Sequence, residues 1–267
     1  MRKNFIMILF IVPIFVFLGL YFFQEKLIFK PTKLAENYKF QFDEKFEEIN
    51  ILVDKKVILN GVLFRSEAKK GIVLSFHGNK GNLSEIGKRS SLFTENGYDV
   101  LYMNYRGYGK SSGTIKSESQ LLKDAQIVYD SLKKEYKESQ IILFGISIGS
   151  GIATYLAAHN TPHSLILTAP YSSFKKVLKE KLPFVPGFIW KYELNTNKRL
   201  QKVNCPISIF HGKEDLVFSF EHAQTLKENH PRIHLFGFEK YGHTNFLESN
   251  IFKKRIIVEI NTNSEKK

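Results

Sequence analysis

The sequence predicts one large α/β domain whose sheet is mostly parallel and flanked by helices. Short runs of branched and aromatic residues, at 72–76, 98–104, 141–144, 164–169, 207–210 and 233–238, alternate with segments of helical period. Several of these runs end in glycine-bearing loops, which is where ligands meet an open α/β sheet. The length of 267 residues suits one such core and leaves little for a second.

In chain order, the first feature is apolar. Residues 5–23 carry only Gly19 and Tyr21 as interruptions, and at 1.5 Å per residue they would span about 28 Å, close to the thickness of bilayer hydrocarbon. A cleaved signal peptide would have a shorter apolar core, and no Ala-x-Ala-like pair follows Leu18. Residues 1–24 are therefore expected to form a single-pass transmembrane helix, an N-terminal membrane anchor. Arg2 and Lys3 before it nearly balance Lys26, Lys30 and Lys33 after it, so its sidedness stays open. Residues 25–48 show no clear period and read as a juxtamembrane connector. The domain proper is expected over 49–262. It opens with an antiparallel hairpin, 50–53 and 57–64, around Asp54-Lys55-Lys56. After the 72–76 strand the pattern is helical from Leu83 to the stop at Asn96-Gly97. Another helix over 119–137, with Leu121, Leu122, Ala125, Val128 and Leu132 on its apolar face, feeds the run at Ile141. Ala153, Ala157 and Ala158 mark the closely packed helix that follows. The stretch from about 171 to 204 is too long for an ordinary connection and reads as a cap insert. A helix around 220–229 and a closing amphipathic segment at 246–260 complete the domain.

Lys and Arg outnumber Asp and Glu 39 to 26, a net charge of +13. Such an excess attracts phosphate backbones, anionic lipid headgroups or acidic substrates. The lysines are scattered along the whole chain, with no zinc-finger spacing and no ribonucleoprotein aromatic motif, so a nucleic-acid partner is not expected. A basic surface beside a membrane fits better. The single cysteine, Cys205, excludes an intrachain disulfide and a cysteine zinc cluster.

Two phosphate-binding motifs fail on inspection. Gly109-Lys110-Ser111 resembles the end of a P-loop, but the leading glycine would fall on Asn104; the dinucleotide fingerprint meets Thr154 where a third small residue is wanted. Gly145-Ile146-Ser147-Ile148-Gly149 is stronger. It sits between a buried strand and a small-residue helix, the setting of a nucleophile elbow, in which a strained serine stands clear of the sheet. A serine hydroxyl needs an imidazole to take its proton and a carboxylate to orient that imidazole. In elbow enzymes the chain order is Ser, acid, His. His77 and His211 precede any plausible acid, and His159, His163, His222 and His230 sit on or beside helices, which leaves His243 after the last strand. The acid belongs in His211-Gly212-Lys213-Glu214-Asp215, where Asp215 is preferred to Glu214 for a carboxylate turned toward the sheet end. A metal site from His211, Asp215 and His243 lacks any spaced ligand motif. The oxyanion donors are expected at the N–H groups of Ile148 and Asn79. In the cap, Phe184, Phe188 and Trp190 are candidate acyl-binding residues.

Together, His77-Gly78-Asn79, Asn104-Tyr105-Arg106-Gly107-Tyr108-Gly109-Lys110-Ser111, the elbow, Cys205-Pro206, His211-Gly212-Lys213-Glu214-Asp215 and Gly242-His243 resemble the α/β-hydrolase superfamily. They are similar above all to its membrane-associated branch, which includes protein depalmitoylases. The resemblance implies an α/β-hydrolase fold, a Ser147–Asp215–His243 triad, oxyanion donors at Asn79 and Ile148, and no cofactor. It implies a serine hydrolase that acts on small-molecule or lipid-like acyl esters or thioesters through an acyl-enzyme. An aminopeptidase-like amidase and a catalytically silent binding fold are the alternatives. Two departures stand out: an apolar span replaces the cysteine-rich N-terminus of the depalmitoylases, and Ile146 precedes the nucleophile where Arg or Gln is frequent.

Overall fold

A computed structural model describes residues 2–262, with side chains from 12 to 261. Helix α1 (Arg2–Ile28) contains Pro13 and continues past the predicted span to the edge of the domain. Strand β1 (Lys30–Pro31) follows, then the hairpin β2 (Phe46–Asp54) and β3 (Val57–Phe64), which begins earlier than the sequence pattern suggests. Next come β4 (Gly71–Phe76), β5 (Lys80–Gly81), the short helices α2 (Leu83–Ile86) and α3 (Ser91–Thr94), and β6 (Tyr98–Met103). The single helix expected over 83–96 is thus broken. A 3-10 turn at Gly87–Arg89 lets Gly87 lie flat against the Phe42 ring, where a Cβ would come within 2.6 Å of the ring edge.

Helix α4 (Glu118–Leu132), capped by Ser117, leads to β7 (Ile141–Ile146), α5 (Gly149–His159) and β8 (Ser164–Thr168). The insert holds α6 (Phe174–Lys181), a 3-10 turn at Gly187–Ile189 and α7 (Thr196–Leu200). Then β9 (Ile207–Gly212), α8 (Glu221–Asn229), β10 (His234–Phe238) and α9 (Asn250–Thr262) close the domain. Only the first part of the insert is a cap, because fully buried Leu200 places α7 in the main core.

Among the described residues the main sheet has eight strands in the order β10-β9-β8-β7-β4-β6-β3-β2, and β3 alone runs against its neighbours. Its centre is buried on both faces: Leu74, Leu101, Leu143 and Leu165 face one apolar core, and Val73, Val100, Ile142 and Ile166 face the other. This explains the continuous apolar runs of the sequence, since strands covered on both sides need no polar alternation. Their carboxyl ends form one edge, where glycine-bearing loops gather.

No helix is long and apolar enough to cross a membrane among the described residues. The side chains of α1 are described only from residue 12, so the first part of the 5–23 span lies outside them. Within the described part, Phe15, Val16, Phe22 and Phe23 are exposed, while Phe17 and Leu20 pack on Val185, Ile189 and Trp190 of the cap.

Candidate active site

Ser147 stands between β7 and α5 at φ +54°, a left-handed conformation that costs a non-glycine residue strain. The flanking glycines make the turn sterically feasible. A Cβ on Gly145 would come within 2.6 Å of the Ser150 Cα, and one on Gly149 would fall on the Phe76 carbonyl oxygen of β4. The elbow is thus pressed against α5 on one side and the end of β4 on the other. Ser147 is buried, and its N–H donates to the Thr168 carbonyl (2.9 Å).

His243 follows β10 and Asp215 follows β9, so three strand ends deliver three side chains to one point. His243 Nε2 lies 2.8 Å from Ser147 Oγ, and its Nδ1 lies 2.7 Å from Asp215 Oδ2. A carboxylate only accepts, so Nδ1 carries the hydrogen and Nε2 is left to accept from the hydroxyl. Asp215 Oδ1 accepts from the N–H groups of Val217 (2.8 Å) and Phe218 (2.9 Å). Burial works to raise the Asp215 carboxyl, but hydrogen bonds from His211, His243 and Phe218 outweigh it and hold the group well below the usual carboxylate range. It therefore stays ionised and keeps the imidazole oriented.

His211 is a participant that sequence reasoning set aside. Fully buried at the end of β9, it directs Nε2 at Asp215 Oδ2 (3.0 Å) and at the Phe218 carbonyl (2.9 Å). Both partners are acceptors, so His211 donates, and it holds the same carboxylate oxygen that His243 contacts. His211 and His243 meet Asp215 through N–H donors, and among the described residues no group of His, Cys, Asp and Glu is arranged to hold an ion.

The loop that carries Asn79, where the sequence leads one to expect an oxyanion donor, lies after β4. Gly78 comes close enough to Ser147 that a Cβ would be 3.7 Å from the serine Cβ. The tyrosines of Asn104-Tyr105-Arg106-Gly107-Tyr108 hold this loop from below: Tyr105 donates to the His77 carbonyl (2.6 Å) and Tyr108 to the Asn79 carbonyl (2.8 Å). His77 packs against the Tyr105 ring in a tilted arrangement, and burial pushes its pKa down to about 4, against a weaker opposing effect of its bond to the Gly78 carbonyl. It is neutral and structural at ordinary pH.

Two cavities reach Ser147. One, of about 210 Å³, is walled by Phe174, Val177, Leu178 and Trp190 of the cap, by Phe218, and by Leu27 and Ile28 from the end of α1. The other, of about 540 Å³, is more polar and runs past His243, Lys80 and Arg89. Trp190 is where the sequence places it, but Phe184 and Phe188 are not. They are 93% and 78% exposed: Phe184 precedes the 3-10 turn at Gly187–Ile189, and within that turn Ile189 and the following Trp190 are buried while Phe188 is left outside.

Solved structures share this architecture. An esterase of Pyrococcus furiosus superposes with a TM-score of 0.70 over 88% of this chain and 97% of its own, at 17% identity. An esterase of Exiguobacterium antarcticum does so with a TM-score of 0.65 over 80% of this chain and all of its own, at 21% identity. The chain thus has the α/β-hydrolase fold. Its residues 67–192 match the family described as serine aminopeptidase, S33. Among curated proteins it is 29% identical over 177 residues to the lysophosphatidylserine lipase ABHD12 of Xenopus tropicalis, covering 58% of this chain and 45% of that protein. It is 28% identical to the same-named protein of Danio rerio, again over 58% of this chain. The chain spans about half the length of the curated relatives it matches.

Proposed function

We propose that this α/β-hydrolase cleaves acyl esters through an acyl-enzyme on Ser147. The hydrogen-bonded chain Asp215–His243–Ser147, aimed at an apolar cavity, carries the reading. His243 Nε2 takes the hydroxyl proton as Oγ bonds to the ester carbonyl carbon. The resulting oxyanion is met by the N–H groups of Ile148 and Asn79. Collapse of the tetrahedral adduct breaks the bond to the alcohol, which leaves with the proton from His243. Water then repeats the sequence, releasing the acid and restoring Ser147.

The cavity chemistry favours esters over peptides. An aminopeptidase holds a substrate ammonium, yet among the described residues neither cavity reaching Ser147 has an Asp or Glu on its wall, whereas Lys80, Arg89 and Lys181 line them. Beyond Arg89 a groove continues to Lys88, Lys253 and Lys254, four cations against the two carboxylates of Glu95 and Glu248 on the same wall. An apolar pocket on one side and cations on the other suit a single acyl chain esterified to an alcohol that carries a phosphate. The lysophosphatidylserine lipases named above act in keeping with that chemistry. The membrane anchor belongs to the same reading: the apolar 5–23 span, the exposed phenylalanines of α1 and the exposed Phe184 and Phe188 beside it support attachment at a bilayer surface.

Labelling with a fluorophosphonate probe tests the chemistry. The wild type takes up the probe and Ser147→Ala does not, with turnover of an ester lowered by about 10⁴-fold or more. Equal labelling of both proteins, or of neither, overturns the assignment.

A further inference from the structure

Helix α1 does more than lead into the domain. Its last turn is tied on one side to the cap and on the other to the oxyanion loop. Gln24, fully buried, donates from Nε2 to the Ile189 carbonyl (3.0 Å) and accepts from the Lys191 N–H (2.9 Å). Glu25 accepts from the Tyr192 hydroxyl (3.2 Å) and pairs with Lys191 (2.8 Å). Four residues on, the Ile28 carbonyl accepts from Asn79 Nδ2 (2.9 Å), and the Lys30 N–H donates to the Asn79 carbonyl (2.9 Å). Pairing of β1 with β5, Lys30 opposite Lys80, continues the tie along the loop.

Asn79 is thus held at its side chain by Ile28 and at its carbonyl by Lys30 and Tyr108. These bonds fix the side chain and the peptide plane that follows the residue, while the plane that carries its N–H is held at the Gly78 carbonyl by His77 Nδ1 (2.7 Å). In the same turn Leu27 and Ile28 form a wall of the apolar cavity, facing Trp190, Leu178 and Phe218 across it. Ile28 is buried, while Leu27 is 56% exposed at the cavity mouth.

We propose that the end of α1 is a working part of the active site: Leu27 and Ile28 determine which acyl chains reach Ser147, and the Ile28 carbonyl and Lys30 N–H are positioning groups for the Asn79 oxyanion donor. This rests on the ester-hydrolase reading. An acyl chain bound to Ser147 lies against the helix that precedes the domain, so a lipid ester reaches the serine along α1 without crossing the polar cleft. Gln24 also ties α1 to two successive peptide groups of the cap.

The test uses the full chain and two fluorophosphonates that differ only in alkyl length, ethyl and dodecyl, with the second-order labelling rate of Ser147 as readout. Wild type prefers the dodecyl probe. Leu27→Trp, which fills the mouth at an exposed position, lowers the dodecyl-to-ethyl ratio by about tenfold or more, since each methylene excluded is worth about fourfold. Asn79→Ala, which removes the tie to Ile28 but keeps the N–H donor, lowers the maximal labelling rate of both probes by about tenfold. It leaves their ratio and half-saturating concentrations unchanged. An unchanged ratio in Leu27→Trp overturns the wall assignment, and an unchanged maximal rate in Asn79→Ala overturns the positioning role. Wild type that labels without chain preference overturns the proposal alone; wild type that does not label at all removes the hydrolase reading with it.

Discussion

The two sides of Ser147 are built by different rules. On the sheet side, Ser147, Asp215, His243 and Asn79 all stand in loops at the carboxyl ends of strands, and adjacent parallel strands bring those loops together. On the other side, the apolar cavity is assembled from segments off the sheet: the end of α1, the cap helix α6 and Trp190. The first side is fixed by backbone ladders and holds charged and strained groups. The second is fixed by side-chain packing and a few hydrogen bonds such as those of Gln24. On the proposed function, chemistry would reside among groups fixed by the sheet, and selectivity among groups fixed by side-chain packing.

The largest effect expected from breaking this contrast lies in the triad. Asp215→Asn keeps the shape but offers His211 and His243 an amide in place of a carboxylate, which removes the charge that stabilises the imidazolium. Ester turnover should fall by about 10³- to 10⁴-fold, with little change in half-saturation. Steady-state kinetics on one ester decide it; a loss under tenfold would place the acid elsewhere.

The second effect is on stability and again concerns the sheet side. His77 has a folded-state pKa lowered to about 4 by burial, against an ordinary value of 6.5. Below pH 6.5 the unfolded chain binds a proton that the folded chain refuses, so stability falls with decreasing pH until the folded pKa is reached. From pH 7 to 4.5 this one group should cost about 2–3 kcal/mol, at about 1.4 kcal/mol per unit of pKa difference. Asp215 contributes in the same sense only at lower pH, because its carboxyl is held below the usual range and its contribution is lost as pH falls through that depressed value. Urea unfolding of wild type and His77→Gln at both pH values separates the two: the variant should show a shallower loss, and an equal loss in both would exclude His77 as the source.

Legibility from sequence follows the same division. Ser147 announces itself through a pentapeptide whose glycines are sterically required, and chain order among strand-end loops singles out Asp215 and His243. The parallel core is readable because its strands are apolar on both faces. Gln24, Leu27 and Ile28 carry no such signal, since Asn79 is 51 positions from Ile28 and Gln24 bonds 165 positions away to Ile189. Within an apolar span these residues look like the rest of it. Phe184 and Phe188 mislead for a related reason: composition marks the cap as apolar, but only the three-residue turn at Gly187–Ile189 decides which rings face Ser147. His211 is set aside by chain order, which excludes it as the base but is silent on its bond to the acid.

On the cap side the expected changes are smaller and concern preference rather than rate. Trp190 is buried between the cavity and α1, so Trp190→Ala opens space and removes contact area. Esters of about six to twelve carbons should outperform acetate in the wild type, at about 0.8 kcal/mol per buried methylene. The variant should lose about tenfold of that preference. A flat profile in the wild type would remove the acyl-pocket reading while leaving the triad intact.

The smallest effect tests the polar mouth. Arg89 is partly exposed and pairs with Glu248 (2.8 Å), so its charge is screened by solvent and shared with a carboxylate. It still lies on both the 540 Å³ cleft and the groove leading to Lys253 and Lys254, where the proposed function would bring an anion on the leaving alcohol. Arg89→Gln should raise the half-saturating concentration of a lysophosphatidyl ester by about three- to tenfold, as expected for one partly exposed charge contact. It should change the value for a neutral monoacylglycerol of equal acyl length much less. The difference should shrink as salt is raised, because exposed pairs are screened over about 8 Å at physiological ionic strength. Equal changes for both substrates would assign Arg89 to the shape of the cleft, and the cationic groove would then have no part in recognising the alcohol.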